Sequence, residues 1–161
     1  MPPDSRSRRV VVGYDGSPAS RAALACAADR AGEGGLIYVV HAYSLRADWL
    51  GAPYYQRLLN IELDRAEALI GRIEEESGSD LQGVAWEAEV IGDAPARAIA
   101  GVAAAREADE IIVGTRGFGR ARALLGSVAH ELIHLADCPV TAIPERAVER
   151  ADEHAKARAA S

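Results

Sequence analysis

The stretch from Asp109 to Pro144, DEIIVGTRGFGRARALLGSVAHELIHLADCPVTAIP, constrains the fold more than any other part of the chain. Ile111, Ile112 and Val113 form a short apolar run, which suits a strand buried on both faces of a parallel sheet. Glycines at 114, 117, 119 and 126 follow directly. Ser127 then opens an apolar helical pattern, and Pro139–Ile143 forms a last short strand. A glycine loop between the carboxyl end of a strand and the amino end of a helix is where open α/β sheets hold phosphates. The loop is therefore expected to bind a nucleotide.

The rest of the chain repeats the alternation. Arg9–Tyr14 (RVVVGY) reads as the first strand, and Ser17-Pro18 is a helix start, with a hydroxyl at the N-cap and proline at the first helical position. The alanine-rich helix runs through Arg21–Arg30, with Ala22, Ala25 and Cys26 expected on its packed face, and Gly32–Gly35 ends it. Leu36–Ala42 (LIYVVHA) is a second, nearly all-apolar strand. After an irregular stretch at Ser44–Pro53, Leu58, Ile61, Leu69 and Ile73 recur at helical spacing through Tyr54–Glu76. Val84–Ile91 alternates as a third strand, Asp93 is placed as an N-cap, and Ala96–Ala108 reads as a helix with Ile99 and Val102 inward. Strands alternating with helices imply a parallel sheet covered on both faces.

A chain of 161 residues with 49% apolar content fits one domain with a complete core. The formal net charge of −6 argues against nucleic acid as a partner, since such proteins carry a basic face. No apolar run is long enough to span a membrane, so no membrane partner is expected. Residues 1–8 read as a flexible polar arm rather than a signal peptide, residues 9–144 as the domain, and residues 145–161 as a charged helical or disordered tail. Cys26 and Cys138 fit buried thiols in a reducing cytoplasm.

Four features carry a resemblance to the universal stress protein family over roughly Arg9 to Pro144. They are the strand end VVVGYDGS, the strand end VVHA, the turn GDAP before a helix, and the region ADEIIVGTRG…LLGSVAHELIHLADCPVTAIP. The resemblance implies a Rossmann-like open parallel sheet of five strands, order 3-2-1-4-5, with helices on both faces. It implies an ATP site, with AMP or ADP as related ligands, and a role in sensing or regulating the stress response. It further implies a homodimer, for which the short apolar edge strand Val140–Ile143 is suited. Asp15 stands where the family has its nucleotide-facing aspartate, and Ala42 where a backbone contacts adenine. ATP-binding members carry Gly-x2-Gly-x9-Gly followed by Ser or Thr. Here Gly114-x2-Gly117 is present, but only eight residues, Phe118–Leu125, separate Gly117 from Gly126. Either the Gly119 segment absorbs the missing residue, or the loop tightens and misplaces its amides.

The residues support that site on physical grounds. In the order 3-2-1-4-5, strands 1 and 4 flank the point where the loops diverge, and Gly13, Asp15 and Gly114 come from their ends. Gly114 and Gly117 let backbone amides approach phosphates without Cβ interference, and Gly119 gives the loop freedom. Gly126, Ser127 and Val128 open a helix whose positive end favours anions, and Arg116, Arg120 and Arg122 add positive charge. Asp15 is placed to bind ribose hydroxyls or help seat Mg²⁺ among phosphate oxygens. Read singly, each of these is an ordinary cap, turn former or solvated charge. Trp49, Tyr54 and Tyr55 in the long connection read as packing under the loop.

The same stretch holds a rival. His130-Glu131-Leu132-Ile133-His134 matches H-E-x-x-H, in which two histidines on one helix face hold zinc and the glutamate is a general base. A third ligand is missing from the extended pattern, and only Glu145, Glu149, Glu153 and His154 of the tail are at hand. With Val128, Leu132 and Leu135 as the apolar stripe, His130 and His134 fall on the polar side, as a surface pair. His41 reads as a satisfied histidine near the strand ends. No poised general base is evident, so the chain is expected to hydrolyse ATP weakly at most.

Overall fold

The computed structural model describes residues 7–45, 51–115, 125–144 and 146–147. Its elements are β1 (Arg9–Gly13), α1 (Pro18–Ala31), β2 (Leu36–Tyr43), α2 (Ala52–Ser77), β3 (Ala85–Gly92), α3 (Pro95–Ala105), β4 (Glu110–Gly114), α4 (Ser127–Leu135) and β5 (Val140–Ile143). The five strands form one parallel sheet in the order β3-β2-β1-β4-β5. This is the architecture expected from the alternating pattern. Among the described residues no helix is long and apolar enough to cross a membrane.

Strand alternation divides the core into two layers. Val10, Val12, Ile37, Val39 and Ile112 face α1 and α2, packing with Leu24, Leu69 and Ile73. Val11, Tyr38, Val40, Ile111 and Val113 face α3 and α4, packing with Ile99, Val102, Ala129 and Leu132. Tyr14 continues the first layer, and burial, followed by the nearby Glu76, pushes its phenol above the ordinary tyrosine value.

Ser17 caps α1 as expected, its hydroxyl accepting the Ser20 amide at 3.2 Å. The packed face of that helix meets the expectation in part. Ala22 is buried, together with Ala23, Leu24, Ala27, Ala28 and Ala31, whereas Ala25 and Cys26 are only partly so. With alanine on nearly every side, the sequence of α1 has little polarity contrast to mark its buried face. In α2, Leu69 and Ile73 are buried but Ile61 is 40% exposed, because the first half of this long helix lies beyond the core. In α4, Leu135 is exposed and the stripe runs through Val128, Ala129, Leu132 and Ala136 instead. Helix α3 ends at Ala105 rather than Ala108, and its N-cap is Ala94, not Asp93. Asp93 accepts the Ala94 amide and pairs with Arg97, and these bonds, Arg97 first, hold its carboxyl below the usual range.

At the amino ends of the strands one carboxylate is buried. Glu110 accepts Arg8 Nη2 at 3.0 Å, Arg30 Nη1 at 2.6 Å and Thr141 Oγ1 at 2.5 Å. A buried charge persists when it is paired and fully hydrogen-bonded. This one ties α1, β4 and β5 to Arg8, whose carbonyl also accepts the Leu36 amide. Residues 1–6 and most of the tail after Pro144 lie outside the described residues.

Two glycines test how tightly the helices seat. A Cβ on Gly114 would lie 2.7 Å from Ala19 Cβ and 2.9 Å from the Ala19 carbonyl carbon, so α1 docks on the end of β4 only without a side chain there. A Cβ on Gly101, on the open side of α3, meets nothing within 4 Å. We expect Gly114→Ala to lower unfolding free energy by about 1–3 kcal/mol through overpacking. Gly101→Ala should raise it by about 0.5–1 kcal/mol through helix propensity. Urea denaturation reads both, and the same sign for the two variants would contradict this packing.

Candidate functional site

A parallel sheet with helical crossovers points every helix amino end toward the carboxyl ends of the strands. Here a cleft opens at that edge, between the ends of β1 and β4. Its walls are Gly13, Tyr14, Asp15, Ser17, Ser20, Val40, Ala42, Pro95, Ile99, Val113, Gly114 and Val128. The amino ends of α1, α3 and α4 therefore converge on one space, through Ser17 and Ser20, Pro95, and Val128 respectively.

The three ends differ in how their amides are used. In α1 the Ser17 hydroxyl takes the Ser20 amide, and the Ser20 hydroxyl donates to the Ser17 carbonyl at 3.0 Å. Neither Ala94 before α3 nor Gly126 before α4 makes a side-chain cap hydrogen bond. In α4, the first amide to enter the helical ladder is that of His130, bonded to the Gly126 carbonyl at 3.0 Å. The Ser127, Val128 and Ala129 amides precede it, leaving donors and the positive end of the helix for an anion.

Asp15 is exposed at the mouth of the cleft. Its Oδ1 accepts the Ser17 amide at 2.9 Å, and its own amide is directed at Ser20 Oγ at 3.4 Å. Its second oxygen has no hydrogen bond among the described residues, which leaves an acceptor for hydroxyls or a hard cation. A Cβ on Gly13 would lie 2.6 Å from Ile99 Cδ1 and 3.0 Å from Val113 Cγ1, side-chain ends that would have to shift to admit it.

Of the residues picked out from the sequence, Gly13, Asp15, Ala42, Gly114 and Val128 line this single cleft. Gly126 and Ser127 lead directly into Val128, and the Gly126 amide donates to the Thr115 carbonyl at 2.6 Å. The two ends of the glycine segment are thus clasped beside the cleft. Arg116, Gly117 and Gly119, with Arg120 and Arg122, lie outside the described residues, as does Trp49. Tyr54 and Tyr55 are exposed rather than packed beneath a loop. Among the wall residues, Tyr14, Val40 and Val113 fall inside the strand-end motifs but look there like strand core, and Ser20 looks like an ordinary helical serine, so none of the four stands out by itself as a ligand contact.

His130 and His134 stand together on the exposed side of α4, their ring centroids 5.3 Å apart. No group of three or more His, Cys, Asp or Glu able to hold a metal ion occurs among the described residues. Cys138 is partly buried, and burial followed by Asp137, Asp109 and Glu110 pushes its thiol above the ordinary value.

Comparison with known proteins bears on the family and the fold. The universal stress protein family matches residues 6–144. A protein of Thermus aquaticus described as the universal stress protein in the QAH/OAS sulfhydrylase 3′ region is 38% identical over 136 residues, covering 83% of this chain and 96% of its own. The universal stress protein UspA from Lactobacillus plantarum shares the fold at a TM-score of 0.73 and 20% identity, over 87% of this chain and 99% of its own. A universal stress protein from Archaeoglobus fulgidus in complex with dAMP is 26% identical, with a TM-score of 0.56, over 84% of this chain and 97% of its own. On sequence and on fold, the chain belongs to the universal stress protein family.

Proposed function

We propose that the cleft binds an adenine nucleotide, ATP or its AMP and ADP relatives, and that occupancy sets the activity of a cytoplasmic stress-response protein. One observation carries the reading: at a single cleft the uncapped amino end of α4, the Asp15 carboxylate and the Ala42 peptide meet. In this reading the α4 amides and the glycine segment, with Arg116, Gly117 and Gly119, take the phosphates. Asp15 takes ribose hydroxyls or Mg²⁺, which keeps phosphate oxygens among its ligands. The Ala42 backbone takes the base. The family relative in complex with dAMP supports the ligand class. Hydrolysis in this reading is slow and incidental: among the described wall residues the one carboxylate is that of Asp15, and the reading gives it to the ribose or Mg²⁺.

The reading includes a homodimer through β5. Thr141 and Ile143 direct their amides at β4, so Val140 and Ala142 present theirs outward along an edge that a second copy covers. Ile133 and Leu135 are exposed on α4, the helix that leads into β5. Ala142→Pro removes an outward donor and leaves the β4–β5 ladder its own bonds. It should convert the dimer to monomer in sedimentation velocity; a wild-type protein that is monomeric throughout would remove the dimer from the account.

Calorimetric titration with Mg·ATP tests the site. A hydrogen bond to a charged group contributes about 1.5–3 kcal/mol, so Asp15→Ala should weaken binding about 10- to 100-fold. Gly126→Val, whose backbone at φ −61° suits any residue, should weaken it about 10-fold by crowding the α4 amides without unfolding the domain. Unchanged affinity in both variants would place the phosphates elsewhere. A wild-type protein with no ATP affinity would favour a dimer that acts by protein interaction alone. Stoichiometric zinc that is lost in His130→Ala would instead revive the hydrolase reading.

A further inference from the structure

The ladder between β1 and β2 stops one bond early, and the group at the break is His41. In a parallel pair, alternate residues of one strand direct both their N–H and C=O at the other. For β2 these are Leu36, Tyr38, Val40 and Ala42. The Leu36 amide donates to the Arg8 carbonyl at 2.9 Å, and the Val40 carbonyl accepts the Tyr14 amide at 2.9 Å. Continuing the register, the next bond would run from the Ala42 amide to the Tyr14 carbonyl. That bond is not made. The Tyr14 carbonyl instead meets His41 Nδ1 at 2.9 Å. A carbonyl only accepts, so Nδ1 carries the proton and donates.

We infer that His41 is a positioning residue that holds the β1–β2 ladder open, so that the Ala42 N–H and C=O stay free on the cleft wall to pair with the base of the ligand. His41 points to the opposite face of β2 from Ala42, so it need not touch the ligand to do this. By engaging the Tyr14 carbonyl from that face it turns the oxygen away from the line of Ala42. The chain beyond Tyr14 then leaves the sheet at Gly16, which has φ +79°, so no amide follows to meet the Ala42 carbonyl. What remains is a donor and an acceptor side by side on a half-buried wall lined by Val40 and Ile99. A 6-aminopurine offers the complement, a ring nitrogen that accepts beside an amino group that donates. A 6-oxopurine inverts that pair. The ligand half of this inference rests on the proposed nucleotide site; the open ladder does not.

The test joins amide exchange with binding. In ¹⁵N-labelled, ligand-free protein, the Ala42 amide should exchange about 100-fold faster than the Val40 amide inside the ladder. His41→Ala frees the Tyr14 carbonyl, so Ala42 should become at least about 10-fold more protected than in wild type. ATP affinity should then fall about 10-fold, the preference for ATP over ITP should collapse, and binding of inorganic tripolyphosphate should be unchanged. His41→Asn keeps an N–H donor near the Nδ1 position and should restore fast Ala42 exchange and ATP preference. An Ala42 amide as protected as Val40 in wild type, or unmoved by His41→Ala, overturns the role given to His41. If exchange behaves as stated but the wild type binds no nucleotide, the open ladder stands and the nucleotide reading fails.

Discussion

The close seating of α1 against the end of β4 governs the geometry of the site. Ala19, in the first turn of α1, sits so near Gly114 that a Cβ would approach its backbone to 2.9 Å. On the neighbouring strand a Cβ on Gly13 would meet the end of the Ile99 side chain of α3. With these two strand ends stripped of side chains, helices from both faces close in over the point where β1 and β4 part. Their amino ends then share one cleft, and the positive ends of the helices add there rather than facing solvent separately. The glycines thus shape the cleft indirectly, by letting the helices approach.

The two edges of the sheet have opposite chemistry. At the amino edge the Glu110 carboxylate is buried and saturated by two arginines and a threonine, so that edge is closed and holds α1, β4 and β5 in register. At the carboxyl edge, donors and acceptors are left over: the first-turn amides of α4, one oxygen of Asp15 and the Ala42 peptide. Among the described residues the unmet polar groups therefore gather at the carboxyl edge, the side that the proposed nucleotide site uses.

Much of this was legible in the sequence. The apolar runs around Val11, Val39 and Ile112, each leading into a helix, marked the three inner strands of the parallel sheet, and Ser17-Pro18 marked the start of α1 to the residue. Asp15, Ala42, Gly114 and Val128 were found through motifs at strand ends and proved to share a cleft. What could not be read depends on contacts between distant residues. Nothing local marks Glu110 as buried, since its partners Arg8 and Thr141 lie 102 and 31 positions away. The bond from His41 to the Tyr14 carbonyl spans 27 positions. The uniform alanine of α1 hid which side packs, and in α4 the apolar Leu135 looked internal although it is 43% exposed. Asp93 was misplaced by one residue because its side chain serves Arg97 and the Ala94 amide instead of the helix amides beyond.

The central claim is that one cleft at the carboxyl edge of the sheet, and not the histidine face of α4, is where this protein meets its ligand. Amide chemical shifts followed during titration of the labelled protein with Mg·ATP test it most directly. The account predicts saturable shifts concentrated at Asp15, Ala42, Gly114 and Ser127–Ala129, with Glu110 and Thr141 at the far edge unmoved. Shifts centred on His130 and His134, or no shifts at millimolar nucleotide, would contradict it.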